Sequence, residues 1–318
     1  MTLPWKRTVF AIAGVLATSV AIAMAADRDR YSALWTDATA AMRWENELCT
    51  PVSALQGLMK SRMVKLRTEA IRKDLRLIRQ DADGLFLYHT PGGPVWMPQA
   101  DDLNSLAVVI AEQEAAMYGN SSAGVHPGDV VIDAGAHVGL FARTALAAGA
   151  SKVITFEVTP SSNRALRRNL AAEIADGRVV VVEKGVWFEE GVLPLTIIEG
   201  CSICNSVSHP WMGRSIDVPL TTIDLAVAEL KLARVDFIKL DIENAEANAL
   251  RGARQTIATH RPRVAVALEN SKTRLAYGRE VTAVMQDAFA GYSYVCGAVT
   301  NPEATERILP EILHFSPN

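Results

Sequence analysis

The sequence predicts an α/β fold: a Rossmann-like, mostly parallel, seven-stranded sheet wound with helices on both faces, carrying an N-terminal membrane or helical extension. Three observations predict it. From about residue 130 onward, short apolar runs alternate with stretches of helical periodicity, the pattern of a parallel sheet. Four of those runs end in an acid, at Asp133, Glu157, Asp241 and Glu269. The first run is followed by a turn of small residues containing Gly135 and Gly139.

In chain order, strands are expected at residues 130–133, 152–156, 179–183, 235–240 and 264–268, with two more at 293–299 and 307–315. Further strand-like runs lie at 192–198 and 216–219. Helices are expected at 140–148, 161–175, 223–230, 245–257 and 280–289. Upstream, residues 84–89 and 94–98 flank the turn signal Thr-Pro-Gly-Gly and read as a β-hairpin, followed by a helix near 106–117. Residues 55–80 repeat Leu, Met and Ile at largely helical spacing and carry eight Lys/Arg against Glu69 and Asp74. One face of such a helix suits packing on a domain. Its charge also suits an anionic membrane surface. The organisation expected is residues 1–26 as a transmembrane anchor or signal peptide, 27–83 as a basic helical linker region, 84–118 as a hairpin and helix lead-in, and 119–318 as the principal domain.

At the N-terminus, residues 8–26 carry no charge and follow Lys6 and Arg7. At about 1.5 Å per residue this run just spans a ~30 Å hydrocarbon layer. The Ala-Met-Ala-Ala ending also fits a cleavable signal peptide. The expectation is a membrane anchor with the remaining chain cytoplasmic, and export after cleavage is the alternative. The whole chain of 318 residues has a net charge of −3, which gives no reason to expect a nucleic-acid partner. Cys49, Cys201, Cys204 and Cys296 are too few and scattered to predict a disulfide framework, and the lone CxxC lacks a second pair to hold zinc. Ordinary loop cysteines are expected.

In an open α/β sheet a ligand sits beyond the carboxyl ends of the strands. One acid there is explained by helix capping, but four make a ligand rim. The turn Asp133, Ala134, Gly135, Ala136, His137, Val138, Gly139 is not the dinucleotide GxGxxG, and an acid beside it opposes a pyrophosphate. S-adenosylmethionine (SAM) has no phosphate and carries an amine and a sulfonium, so an acidic strand end suits it. Asp133, Gly135, Ala136, His137 and Gly139 are the expected cofactor-binding turn. Glu157 is placed to accept hydrogen bonds from a ribose diol, as it would in an NAD enzyme, and Asp241 completes the rim.

These motifs carry a resemblance. The turn at 131–139, Phe156 and Glu157, Leu220-Thr-Thr-Ile-Asp224, and Asp236-Phe-Ile-Lys-Leu-Asp-Ile-Glu-Asn-Ala-Glu246 followed by Leu250-Arg-Gly-Ala253 resemble the FkbM-type methyltransferases. The likeness spans roughly residues 112–268. It implies the class I methyltransferase fold and methyl transfer from SAM to a hydroxyl on a sugar, glycan or secondary-metabolite-like acceptor. It further implies that Glu114 and Tyr118 belong to a segment closing over SAM, and that the stretch from Glu183 through Lys184 to Val186 lies where similar enzymes hold adenine. The chain departs from the family at Asn244, where Gly is usual, at Val158, where Pro is usual, and at Asn270-Ser-Lys, where many members have a histidine. Asn tolerates left-handed backbone, so the turn at Asn244 is expected to survive.

Methyl transfer needs alignment and a group to receive or stabilise the acceptor's proton charge. The candidates are Asp241, Glu243 and Lys239. Lys239 lies two residues before Asp241 on a strand and so shares its face, whether as a substrate group or as an ion-pair partner. Glu246 and Arg251 read as helix-surface or pairing residues. Asp241 with Glu269 and Asn270 also resembles the carboxylate and amide set that holds Mg²⁺ in cation-dependent O-methyltransferases, with capping as the alternative. His137 is a candidate hydrogen-bond donor to a SAM carboxylate, and Trp187 and Trp211 are candidates to line an acceptor pocket. A non-catalytic SAM-fold binding protein is the second reading. An NAD-dependent oxidoreductase, lacking its glycine pattern, is the third.

Overall fold

The computed structural model describes residues 48–98, 103–119, 123–198, 200–208, 214–269, 274–289, 291–300 and 309–318. The expected anchor at residues 8–26 lies outside the described residues. Among the described ones, no helix is long and apolar enough to cross a membrane.

The described chain begins with helix α1 (Pro51–Asp74) and strands β1 (Arg76–Gln80), β2 (Phe86–His89) and β3 (Val95–Met97), followed by α2 (Leu103–Glu114). Next come β4 (Val130–Ala134), α3 (Leu140–Ala147), β5 (Lys152–Phe156), α4 (Pro160–Asn169), α5 (Ala171–Ala175) and β6 (Val179–Val182). They are followed by β7 (Gly185–Val186), β8 (Gly191–Ile197), a 3₁₀ turn at Ser202–Cys204, β9 (Arg214–Thr221), α6 (Ile223–Glu229) and β10 (Phe237–Leu240). The chain closes with α7 (Glu246–Arg251), α8 (Arg254–His260), β11 (Arg263–Ala267), α9 (Arg274–Ala288), β12 (Tyr292–Thr300) and β13 (Leu309–Pro317).

The principal sheet has seven strands in the order β12-β13-β11-β10-β4-β5-β6. Five are parallel, and β13 runs antiparallel to both β11 and β12. Its seven strands are the seven expected. Central strands such as β4 and β10 are buried on both faces, as crossover helices require. Alternate residues feed opposite cores. Ile132, Ile154, Ile238 and Val264 enter one, while Val131, Val153, Phe237 and Ala265 enter the other with Phe141 and Leu166. After β4 the chain adds strands on one side, and from β10 it adds them on the other. The switch point therefore falls between β4 and β10, where a crevice opens.

Several elements differ from expectation for identifiable reasons. Residues 76–80 form strand β1 instead of extending the helix, because Leu75 turns extended at the α1 C-terminus and β1 pairs antiparallel with β2. The apolar spacing that suggested helix there leaves Leu77 and Ile78 exposed. The runs near 192–198 and 216–219 do not join the main sheet: β8 and β9 pair with each other, and β9 with β7, in a separate three-stranded sheet. The expected helix at 245–257 breaks into α7 and α8 at Gly252, where a Cβ would lie 2.1 Å from the Trp187 carbonyl.

The four cysteines are not loop thiols. Cys49 bonds to Cys296 and Cys201 to Cys204. Neither pairing has a framework spacing, since one link joins residues 247 apart and the other residues 3 apart.

Helix α1 starts at a capping box between Thr50 and Ser53, with Pro51 in its first turn, and ends on Arg72 and Lys73, which suit the helix dipole. It buries Ala54, Leu58 and Ile71. Ile71, Leu85, Val95 and Leu106 join Val138 and Leu140 in one cluster, so α1, β3 and α2 brace the turn after β4. Asn169 ties the same corner: its side-chain amide accepts from the Trp96 N–H and donates to the Trp96 and Val138 carbonyls.

Candidate active site

The β4 and β10 strands place Asp133 beside Lys239 and Ala134 beside Leu240. Gly135 follows at φ 77°, and a Cβ there would sit 1.9 Å from the Asp241 carbonyl oxygen. Only glycine lets the turn after β4 approach the end of β10 so closely. The Gly135 and Ala136 N–H groups both donate to the Phe156 carbonyl, which fixes the turn against β5.

His137 continues the turn at φ 50°, with its N–H donating to Glu157 Oε2 at 2.7 Å. Glu157 Oε1 accepts from the Thr159 N–H at 2.7 Å. Burial pushes the Glu157 carboxyl up, and these amide bonds oppose the shift. The His137 ring meets the Ser202 hydroxyl, so the disulfide-closed turn at 201–204 lies across the crevice.

Lys239 is buried in the floor. Its ammonium lies 3.2 Å from Asp133 Oδ1, 2.9 Å from the Gly135 carbonyl and 3.3 Å from Asp241 Oδ2. Burial works against its charge, but Asp133 and Asp241 overcome that and hold its pKa above the ordinary value. With three acceptors for three N–H bonds, Lys239 has no lone pair to act as a base. The expected ion pair with Asp241 is present. Asp133 is wholly buried, has one oxygen on Lys239 and the other without a hydrogen-bond partner, and is raised by burial.

Asp241 Oδ2 also accepts from the Tyr118 hydroxyl at 2.7 Å. The next turn holds Glu243 at φ 55° and Asn244 at φ 69°. Two successive left-handed non-glycine residues are costly. They are pinned from outside, since the Ser206 hydroxyl donates to the Glu243 carbonyl and the Ser208 hydroxyl to that of Asn244. The expected tolerance of Asn244 is therefore met. Glu246 is no helix-surface residue: its carboxyl is buried and accepts from the Ile242 N–H and the Tyr277 hydroxyl. Arg251 is exposed and pairs with Glu280.

The crevice encloses about 200 Å³ and brings together Gly135, Ala136, His137, Glu157, Lys184, Lys239, Asp241, Glu243 and Glu269. Three expected members lie elsewhere. Asp133 sits beneath the floor. Gly139 supports the turn from behind at φ 88°, where a Cβ would meet Leu170 Cδ1 at 2.7 Å. Glu114 ends α2 on the exposed side, paired with Arg67 at 2.7 Å. Glu112 faces the crevice instead. Helical spacing groups Glu114 with the buried Ala107, Ile110 and Ala111, and the end of α2 releases it from that face. Trp187 packs against Phe188 away from the crevice lining, and Trp211 is outside the described residues.

The lining suits a cation. Desolvation, with Asp241 as a close like charge, raises Glu112 to about 8 and Glu243 to about 8. The same two causes raise Glu269 well above the usual carboxylate range. Among the described residues of the lining, Lys184 and the already paired Lys239 stand against these acids. A sulfonium and an ammonium would relieve that repulsion, and a pyrophosphate would add to it. As for a metal, Asn270 lies outside the described residues, and among these no group of three or more His, Cys, Asp or Glu is disposed to hold an ion.

The Methyltransferase FkbM domain model matches residues 133–294. The chain belongs to the FkbM methyltransferase family. Methyl transfer from SAM is that family's reaction. Among solved structures, the chain is similar to a methyltransferase FkbM from Methylobacillus flagellatus KT, with 15% identity over 91% of this chain and 60% of that one, at a TM-score of 0.47. It is also similar to a precorrin-6y methyltransferase from Geobacter metallireducens GS-15 (12% identity, 65% and 86% covered, TM-score 0.37) and an rRNA methylase from Streptococcus thermophilus (10%, 61% and 89%, 0.35). The chain thus spans 60% of the length of the Methylobacillus protein. No curated protein matches it. The fold rests on the strand order and the family match.

Proposed function

We propose that this protein is a SAM-dependent O-methyltransferase acting on a hydroxyl of a sugar, glycan or related polyol by direct displacement. The observation that carries the reading is the phosphate-averse crevice at the β4–β10 switch point, rich in carboxyls and closed by the Gly135 turn. SAM supplies a methyl group activated by its sulfonium. Glu157, held by two backbone amides, offers its remaining lone pairs to a ribose diol. Glu112, Asp241 and Glu269 oppose the donor's positive charge, and Lys239 fixes Asp241 and the turn at once. Glu243 receives the acceptor's proton: a carboxyl titrating near 8 is matched to that task close to neutral pH. No Mg²⁺ step is included.

Calorimetry with SAM, followed by mass spectrometry of a hydroxyl-bearing panel for a methyl increment, tests the proposal. Absence of SAM binding removes it. SAM binding without transfer to any hydroxyl favours the non-catalytic reading.

Two placements belong to the same proposal. On α1, exposed Met59, Met63 and Leu66 lie among Lys65, Arg72 and Lys73, a chemistry suited to an anionic bilayer surface. The two disulfides favour export over the cytoplasmic placement, since such bonds persist in oxidising compartments, and SAM must then be delivered there. Alkylation of the freshly isolated, denatured protein should find no free thiol among Cys49, Cys201, Cys204 and Cys296. Four alkylated thiols would return the chain to a reducing compartment.

A further inference from the structure

A second cavity, of about 530 Å³, adjoins the crevice and shares Val108, Glu112, Tyr118 and Glu269 with it. It lies at the same rim, where β11 ends and the antiparallel β13 begins, and α1 and α2 roof it. Its size falls within the range of small-ligand sites. One lining side chain is conspicuous. Arg274 is 91% buried, yet only its Nη2 is hydrogen-bonded, to the Glu269 carbonyl at 2.7 Å. Its Nε and Nη1 are buried without hydrogen-bond partners, and the nearest carboxylate oxygen, on Glu311, stands 3.9 Å from Nη1. Buried donors left without partners are costly, so such an arrangement in a cavity wall points to a ligand acceptor.

The surrounding charges identify the ligand's chemistry. With Glu112 and Glu269 held largely protonated by burial beside Asp241, Glu69 and Glu311 balance Lys65 and Arg274 around the cavity, which gives an anion no net attraction. An apolar ligand would leave the guanidinium orphaned. A sugar-like hydroxyl both accepts and donates. It can take a hydrogen bond from Arg274 and give one to Glu311, whose other oxygen already accepts from the Ser61 hydroxyl at 2.9 Å. We propose that this cavity binds the methyl acceptor as an uncharged polyhydroxylated ring, held between Arg274 and Glu311, with its reacting hydroxyl toward the wall shared with the donor crevice. The assignment of the ring as methyl acceptor rests on the methyl-transfer reading, and the binding site does not.

The probes are methyl glycosides of glucose, galactose, mannose and rhamnose, and methyl glucuronide as the anionic control. Binding is read by saturation-transfer NMR on the full chain, with and without S-adenosylhomocysteine (SAH). At least one neutral glycoside should bind. Arg274→Gln and Glu311→Gln should each weaken it about tenfold, the worth of one or two hydrogen bonds, while SAH affinity stays within about twofold. Ser61→Ala is the milder second variant should Arg274→Gln fail to fold, and it should weaken the glycoside about threefold on the same scale. No neutral glycoside binding, unchanged affinity in the folded variants, or a preference for the glucuronide that Arg274→Gln abolishes would each overturn the proposal. Glycoside binding by a chain that does not bind SAH would instead sink the methyl-transfer reading and leave the cavity standing.

Discussion

The two halves of the crevice are built by different means. On the β4–β5 side the geometry is written in backbone: Gly135 permits the approach to Asp241, Gly135 and Ala136 bond to Phe156, and Glu157 is gripped by the amides of His137 and Thr159. On the β10–β11 side it is written in side chains from distant parts of the chain, with Tyr118 reaching Asp241, Ser206 and Ser208 pinning Glu243 and Asn244, and Arg274 facing Glu311. Backbone grips tolerate little change, which suits a donor common to many enzymes. Side-chain grips can be exchanged one at a time, which is what a half-site for varied acceptors requires.

The comparison can be broken most severely at Gly135. Gly135→Ala should cost beyond about 4 kcal/mol or abolish folding, because its Cβ meets backbone that cannot step aside. A soluble variant with near-normal thermal unfolding and SAH affinity would show the backbone half to be softer than described. Lys239→Met removes the cation shared by both halves and leaves Asp133 and Asp241 uncompensated. A loss of about 3 kcal/mol in denaturant unfolding is expected, smaller if Asp133 protonates instead.

Glu243→Gln should separate the halves functionally. SAH affinity should change little while kcat falls on the order of 10²-fold, the lower range for a lost general base. Wild-type turnover should rise with pH toward about 8 as Glu243 ionises, and this rise should be missing in the variant. The same titration affects stability. Glu112, Glu243 and Glu246 have folded-state values of about 8, about 8 and about 7, all above the unfolded 4.5. The native state therefore holds more protons between those limits, so the ligand-free protein loses stability as pH rises from about 4.5 to about 8. SAM, as a cation, favours the ionised carboxyls and should release protons on binding at pH 7, detectable as a buffer-dependent calorimetric enthalpy. An enthalpy independent of buffer would remove these acids from the donor's surroundings. The smallest effect is expected at Asn244. Asn244→Gly should be nearly neutral and Asn244→Ala should cost about 1 kcal/mol, the difference between residues that tolerate φ 69° and one that does not.

This division explains what could be read from the sequence. The central strands β4, β5, β10 and β11 are apolar runs ending in acids and were legible for that reason, the other three main-sheet strands as apolar runs alone, and Gly135, His137 and Glu157 were legible in the crevice lining. Glu112 was not: the family resemblance pointed to Glu114, and only the end of α2 decides which of the two faces the crevice. Arg274 and Glu311 gave no signal, being separated in sequence and brought together by an antiparallel strand. The pairing of Cys49 with Cys296 was likewise a product of tertiary structure. Lys239 was legible as a face-mate of Asp241, but its third acceptor, the Gly135 carbonyl, depends on how closely the turn approaches.

That long-range disulfide gives the molecule a mechanical character. Because Cys49 and Cys296 are joined, the donor crevice and strands β4 to β11 lie within one covalent ring, while β13, which carries Glu311 of the second cavity, lies outside it. A force applied at the two chain ends therefore loads β13, which pairs with β11 and β12, before it passes through the sulfur bridge and spares the strands inside the ring. Oxidised, the ring would keep β4 to β11 from being drawn out, and reduction would release them. Under such a load the cavity wall built by β13 would give way before the donor crevice inside the ring.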